Sequence, residues 1–401
     1  MNFKLFKAAL FSASVITVLA SCNKVEQVQQ QYMRCGNSLA IAADGNLIVA
    51  GYNSSTTKGY QASLIKVDAA SGDTTWSRNF GSSYSDVFYS VKKSNEGGFI
   101  AAGFSNKAST GSPAMFVVIT DALGTEVKSG TYGGSSYSEA FSVVPNADSG
   151  YLVAGYIQKT GTSDRDIYLV RINNAGAVIW EKSLGAKSNN PNDTVFDAAY
   201  GVIAAPGGGY FVTGSLNGYS SCCGRIFLMK VSAAGDSLWT KTYGFGIGFS
   251  LALTHTGGVA DGGVAISGTL QEGTSQDIFL IKTDTAGNRL WPALKSFGGS
   301  GYEYGASMVE TSAGGFAITG ITSSIGLGSQ DVYLIRTDAS GGKIGEYTYG
   351  GTDVDQGFGI VQMSDGGFAI TGLSNSGGSY IFLNRVKEDG TQYWPKPVYI
   401  K

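Results

Sequence analysis

Apolar positions along this chain fall into short runs bounded by glycine, and one such run returns at a nearly constant interval. Its clearest copies are Gly97-Gly98-Phe99-Ile100-Ala101-Ala102-Gly103, Gly314-Gly315-Phe316-Ala317-Ile318-Thr319-Gly320 and Gly366-Gly367-Phe368-Ala369-Ile370-Thr371-Gly372. The closing glycines lie at Gly51, Gly103, Gly155, Gly214, Gly268, Gly320 and Gly372, with steps of 52, 52, 59, 54, 52 and 52 residues. A period this steady means one supersecondary unit copied along the chain, each copy needing its neighbours to bury its faces.

Each copy divides into four candidate strands. In the sixth they are Gly305–Val309, Gly315–Gly320, Asp331–Arg336 and Lys343–Tyr349, and the third recurs as Asp166-Ile167-Tyr168-Leu169-Val170-Arg171 and Asp277-Ile278-Phe279-Leu280-Ile281-Lys282. Aromatic and β-branched residues suit a strand of this kind. A D-x-x-G turn joins the third and fourth strands, as at Asp121–Gly124, Asp284–Gly287 and Asp338–Gly341. Its aspartate is placed to cap turn amides and its glycine to take the conformation that follows. All five tryptophans, Trp76, Trp180, Trp239, Trp291 and Trp394, stand four residues after such a glycine, with Lys128 and Gly345 in the other two copies. A large ring at one fixed place predicts a wedge against the adjacent copy. The strand before each double glycine carries a small residue, Ser90, Ser142, Gly201, Ser307 or Gly359, as expected where inner strands converge on an axis. The fold class expected is all-β, a seven-bladed β-propeller of four-stranded antiparallel blades over residues 38–401.

The first residues change the picture of where the protein works. Lys4 and Lys7 precede an apolar stretch from Ala8 to Leu19, followed by Leu19-Ala20-Ser21-Cys22. The stretch is too short to span a bilayer and small residues precede the cysteine, the pattern of a signal peptide over residues 1–21. The box resembles the bacterial lipobox, and the resemblance implies that Cys22 is lipidated, residues 22–37 form a tether, and the membrane partner is reached through a lipid anchor. The expected location is the outer membrane, on its periplasmic or surface face. Loss of residues 1–21 removes two lysines and no acid, taking the net charge from −2 to −4. No basic stripe remains, so nucleic acid is disfavoured as a partner. The expected state is a monomer.

With these features the chain resembles the seven-bladed β-propeller lipoproteins of the Bacteroidetes, over about residues 38–400. The stretch Leu64–Trp76 is also similar to the tryptophan-docking repeat of quinoprotein propellers, which places Asp, Gly and Trp at this spacing. Those enzymes resemble eight-bladed rings with longer chains. Architecture follows from these resemblances and chemistry does not.

Candidate site residues fall on the face formed by the second-to-third and outer-to-inner loops, since the opposite face is taken up by tight turns. The acids Asp86, Asp197, Glu303 and Asp355 each stand thirteen residues before the anchor aromatic, with Glu139 one place off. Equivalent blades would set these five around the mouth of the central channel. Such a ring suits Ca2+ or a cationic group; the competing reading is that each acid caps loop amides. The loop at Gly185–Thr194, the adjacent Cys222 and Cys223, and the aromatic Tyr219 belong to the same face. Export would allow Cys222 and Cys223 to form a vicinal disulfide, leaving Cys35 unpaired. His255 is the sole histidine and maps to the tight-turn face, which argues against zinc and against a Ser-His-Asp hydrolase. The function expected is a non-catalytic binding or scaffold module for a protein or glycan, not an enzyme. The alternative is a polysaccharide-active or quinoprotein-like enzyme at the channel mouth.

Overall fold

The computed structural model describes residues 34–400 apart from 56–58, 83, 107–111, 147–148, 159–160, 186–194, 219–223, 257, 273–274 and 377. Among the described residues there are strands, turns and bends and no helix. The strands form seven successive antiparallel sets of four. The first comprises Arg34–Ile41, Leu47–Ser55, Gly59–Val67 and Thr74–Phe80, and the last Asp355–Gln362, Phe368–Ser374, Tyr380–Val386 and Val398–Ile400. One 20-residue strand, Ser237–Thr256, serves twice. Its first part pairs with Arg225–Val231 as the outermost strand of the fourth set, and its second with Val259–Glu272 as the innermost strand of the fifth.

The sixth set shows how closely the pattern foretells the strands. It comprises Glu303–Glu310, Phe316–Thr322, Asp331–Thr337 and Lys343–Tyr349, each covering its expected segment within a few residues. The first set begins earlier than expected. Arg34 and Cys35, assigned above to the tether, pair with Asn53 and Tyr52, and the Arg34 amide donates to Ser379 Oγ at 3.0 Å.

Middle strands are buried on both faces, as in Phe99–Asn106 and Pro113–Thr120, whereas the outermost Glu126–Tyr132 is largely exposed. Continuous apolar runs such as Phe99-Ile100-Ala101-Ala102 follow from this, because both faces meet a neighbouring sheet. The core is a series of wedges. Phe88, Phe99 and Phe116 of the second set pack on Ile48 and Leu64 of the first, and the same construction continues from each set to the next. Leu47, Val49 and Ile65 of the first set pack with Ile381, Leu383 and Trp394 of the last, closing the circuit. Sheets packed face to face around an axis, with first and last in contact, make a β-propeller.

Each tryptophan seats on the turn glycine of the adjacent set. A β-carbon on Gly124 would meet the Trp76 ring at 2.6 Å, and one on Gly341 would meet Trp291 at 2.8 Å; Trp180, Trp239 and Trp394 lie likewise against Gly235, Gly287 and Gly72. Where the second and sixth sets lack tryptophan, tyrosines take over: Tyr132 and Tyr349 donate to the carbonyls of Gly176 and Gly390 at 2.8 and 2.7 Å. The D-x-x-G aspartates cap their turns. Asp121 Oδ1 accepts from the Leu123 and Thr125 amides, and Asp338 Oδ1 from those of Ser340 and Gly342.

At the junction of first and last sets, Trp394 Nε1 donates to the Ala70 carbonyl at 3.1 Å and Arg385 Nη1 to that of Ala69 at 2.5 Å. Arg385 also pairs with Asp365 and lies 3.7 Å from the Tyr393 ring centre. The last sheet is completed by its own strand Val398–Ile400.

Candidate functional site: an aromatic-belted central channel

The innermost strand of every set carries a β-bulge at one equivalent place. Register skips Asn37, Tyr89, Phe141, Tyr200, Phe249, Ala306 and Phe358 in turn. A bulge leaves one residue unpaired and re-aims its side chain. Here all seven line a single cavity of about 540 Å3 at the centre of the ring.

The same bulge explains the closing glycine of the repeat. At Gly155 an added β-carbon would fall 1.8 Å from the Glu139 carbonyl oxygen, and the equivalent distance at the other six closing glycines is 1.7 to 2.0 Å. The backbone that folds toward the second strand leaves no room for a side chain. The periodic glycine thus records the bulge that points residues into the channel.

Five rings make a continuous arc along the channel wall. Centre-to-centre distances are 5.3 Å for Tyr89–Phe141, 4.8 Å for Phe141–Tyr200, 5.0 Å for Tyr200–Phe249 and 4.7 Å for Phe249–Tyr304, all tilted. These are the spacings and inclinations that favour contact between ring edges and faces. Asn37 departs from the belt because its side chain donates to the Phe88 carbonyl at 2.7 Å and accepts from Cys35 Sγ.

One residue beyond the bulge comes the small column. Ser38, Ser90 and Ser142 each accept a hydrogen bond from the next innermost strand, from the amides of Val91, Val143 and Val202 at 3.2, 3.3 and 3.2 Å, and Ser250 does the same for Met308 at 3.0 Å. Where the column is glycine, a β-carbon on Gly201 would lie 3.1 Å from the Phe249 carbonyl, and one on Gly359 at 3.1 Å from Ser38 Cα. Crowding and an interblade bond both select for smallness.

Deeper still the wall is aliphatic, with Ile203, Met308, Val309 and Val361, and it contains Lys92. Among the described residues Lys92 is the one charged side chain lining the cavity, and no described carboxylate pairs with it. Its side chain is exposed to the channel's open space, and partial desolvation by the surrounding wall draws its pKa down. Toward the loop face the lining ends with Gln276, Tyr302 and Gln330.

The expected carboxylates stand at the starts of the innermost strands, and none lines the cavity. Asp86, Glu139, Asp197, Glu303 and Asp355 are all at most 1% exposed. Four of them accept from backbone amides, three in loops and one at the end of a second strand: Asp86 from Ser82 at 2.7 Å, Glu303 from Gly299 at 2.9 Å, Asp355 from Gly351 at 2.7 Å and Asp197 from Asn217 at 2.6 Å. Glu139 instead accepts from the Tyr137 hydroxyl at 2.5 Å, beside Arg165, whose guanidinium lies 4.4 Å from the Tyr156 ring centre. Burial raises the Glu139 pKa against the pull of Tyr137 and Arg165. Among the described residues no group of three or more potential ligands is placed to hold a metal ion.

His255 is half-exposed near the hairpin that joins the inner and second strands of the fifth set, with Nδ1 2.5 Å from Glu310 Oε2. Cys35 is buried and free, and burial pushes its thiol pKa far up, which suppresses the reactive thiolate. Cys22, the Gly185–Thr194 loop beyond Gly185, Tyr219, Cys222 and Cys223 lie outside the described residues.

No protein-family model and no curated protein matches this chain. Solved structures resemble it in fold. A puromycin hydrolase aligns with a TM-score of 0.53 at 11% identity over 95% of this chain, which spans 55% of that one. Sqt1 from Chaetomium thermophilum, bound to the N-terminus of ribosomal protein L10, aligns at 0.49 and 13% identity, covering 86% of this chain and 97% of that one. The β-propeller domain of the Trilobed protease from Pyrococcus furiosus aligns at 0.48 and 8% identity, covering 89% and 94%. At such identities the likeness concerns the fold alone.

Proposed function

We propose that this protein is a lipid-anchored envelope propeller of seven blades, a binding module that holds its ligand in the central channel and performs no chemistry. The observation that supports this most is the arc from Tyr89 to Tyr304, five rings on one wall, four of them delivered by a bulge repeated in every innermost strand. Apolar, aromatic-lined concavities with a few polar groups are where ligands bind. His255 sits with Glu310, and the buried Asp86 and Asp355 accept from loop amides.

The experiment is a screen of the protein against glycan arrays and envelope extracts, repeated with Tyr200→Ala/Phe249→Ala. Ligands retained by the native chain and lost by the double variant support the channel. Ligands held equally by both would move the site elsewhere. Anchoring is tested separately: Cys22→Ser should abolish lipid labelling and membrane retention, and a normally labelled variant would remove the lipoprotein reading.

A further inference from the structure

The channel is chemically graded. At the level of the bulges it presents rings; one step deeper lie hydroxyls already engaged between blades; deeper again lie aliphatic side chains and a single ammonium, that of Lys92. Tyr89 and Lys92 are three residues apart on one strand, a separation of roughly 10 Å at about 3.3 Å per residue. Lys92 shares the channel wall with Ile203, Val309 and Val361, its side chain is exposed to the channel's open space, and no described carboxylate pairs with it. An arriving anion would meet a charge with no described carboxylate competing for it, and a charge-assisted hydrogen bond is about twice as strong as a neutral one. A neutral, hydroxyl-rich ligand would find few free polar groups on this wall, because four of its serines are already bonded to the next blade.

On the reading that the channel is the binding site, we propose that its ligand is a small organic monoanion with an aromatic or alicyclic body, the body held against the Tyr89–Tyr304 arc and the anion paired with Lys92. Carboxylate and sulfonate share this chemistry. A volume of about 540 Å3 is within the range of cavities that enclose ligands of this size.

The test uses two fluorescent probes that share a ring system and differ in charge: 8-anilinonaphthalene-1-sulfonate and its uncharged analogue N-phenyl-1-naphthylamine. Both are titrated into the full chain, into Lys92→Met, and into Tyr200→Leu/Phe249→Leu, which keeps apolar bulk in the channel should the alanine variant not fold. Far-UV circular dichroism confirms that each variant is folded. The native chain should bind the sulfonate with one-to-one stoichiometry. Lys92→Met should weaken it by about tenfold or more, the size of one lost charge-assisted contact, while changing the neutral probe by about twofold or less. The leucine variant should weaken both, and naphthalene-1-carboxylate should compete with the sulfonate in the native chain only. Equal sulfonate affinity in the native chain and Lys92→Met overturns the anion assignment while leaving the channel reading intact. If the leucine variant binds both probes as the native chain does, the channel itself is not the site and both readings fall.

Discussion

The hydroxyl of Ser90 accepts the amide of Val143 from the adjoining blade at 3.3 Å, a bond between two buried residues that joins neighbouring innermost strands at the axis. Ser90→Ala removes the acceptor and leaves that amide buried without a partner. The expected cost is about 1–3 kcal/mol. Urea unfolding should show a lower midpoint at unchanged slope, and Ser142→Ala should behave alike through Val202. An unaltered midpoint for both would show that these bonds contribute nothing.

Gly155→Ala should be far more damaging than its size suggests. The new methyl would fall 1.8 Å from the Glu139 carbonyl, and neither backbone can retreat without undoing the bulge. Gly45→Ala provides the control: its φ of 82° carries a left-handed penalty of about 1–2 kcal/mol, but nothing lies within 4 Å of the added carbon. Insoluble Gly155→Ala beside soluble Gly45→Ala is the expected pair. Equal melting temperatures would refute the collision argument.

Trp394 is 3% exposed and joins the last blade to the first. Trp394→Ala should cost about 3–5 kcal/mol, the range for emptying a buried aromatic site. Deletion of Thr391–Lys401 removes the last blade's outermost strand as well, and should leave an aggregating chain with bare strand edges. A soluble, cooperatively melting truncation would show that the seam is dispensable.

Acid stability should follow the turn aspartates. Turn-amide hydrogen bonds lower the pKa of Asp68 and Asp121, and bonds from neighbouring side chains and turn amides lower those of Asp284 and Asp338. The unfolded chain therefore takes up these protons at higher pH than the folded one. Their contribution is complete above about pH 4 and is lost as pH falls through the lower folded values. Glu139 works in the opposite direction, since burial raises its pKa and its protonation on acidification relieves a buried charge. Asp121→Asn/Asp338→Asn should flatten the fall in melting temperature below about pH 4. An unchanged acid profile would show that these caps do not set it.

Asp355→Asn should lower stability by about 0.5–2 kcal/mol, the range for a lost cap, equally in calcium and in chelator. The reason is that Asp355 Oδ2 already accepts from the Gly351 amide. A calcium-dependent melting temperature in the native chain, lost in the variant, would restore the cation reading.

Much of this architecture was legible because it repeats. The sixth set of strands, the caps at Asp121 and Asp338, and the seating of Trp76 on the next turn all follow from columns of like residues at one interval. The aromatic arc escaped notice although four of its five rings stand in the adjoining column: Tyr89, Phe141, Tyr200 and Phe249 each immediately precede a small residue. In a regular strand that position would alternate away from its neighbour, and only the bulge turns both toward the axis. Lys92 was hidden differently. Beside Lys93 it reads as ordinary surface charge, and its place in the channel wall exists only once other blades close around it. The acids at strand starts were visible, but whether a carboxylate faces a channel or its own loop is decided by the course of that loop.

Because the bulge residue has no cross-strand partner, its identity is released from the demands of pairing. Asn37 and Ala306 occupy the same station as Tyr200 and Phe249 without disturbing the ladders around them. The ring therefore carries seven interchangeable sockets on an invariant frame. Substitutions at these stations would change the lining of the channel while leaving the ladders of each blade as they are.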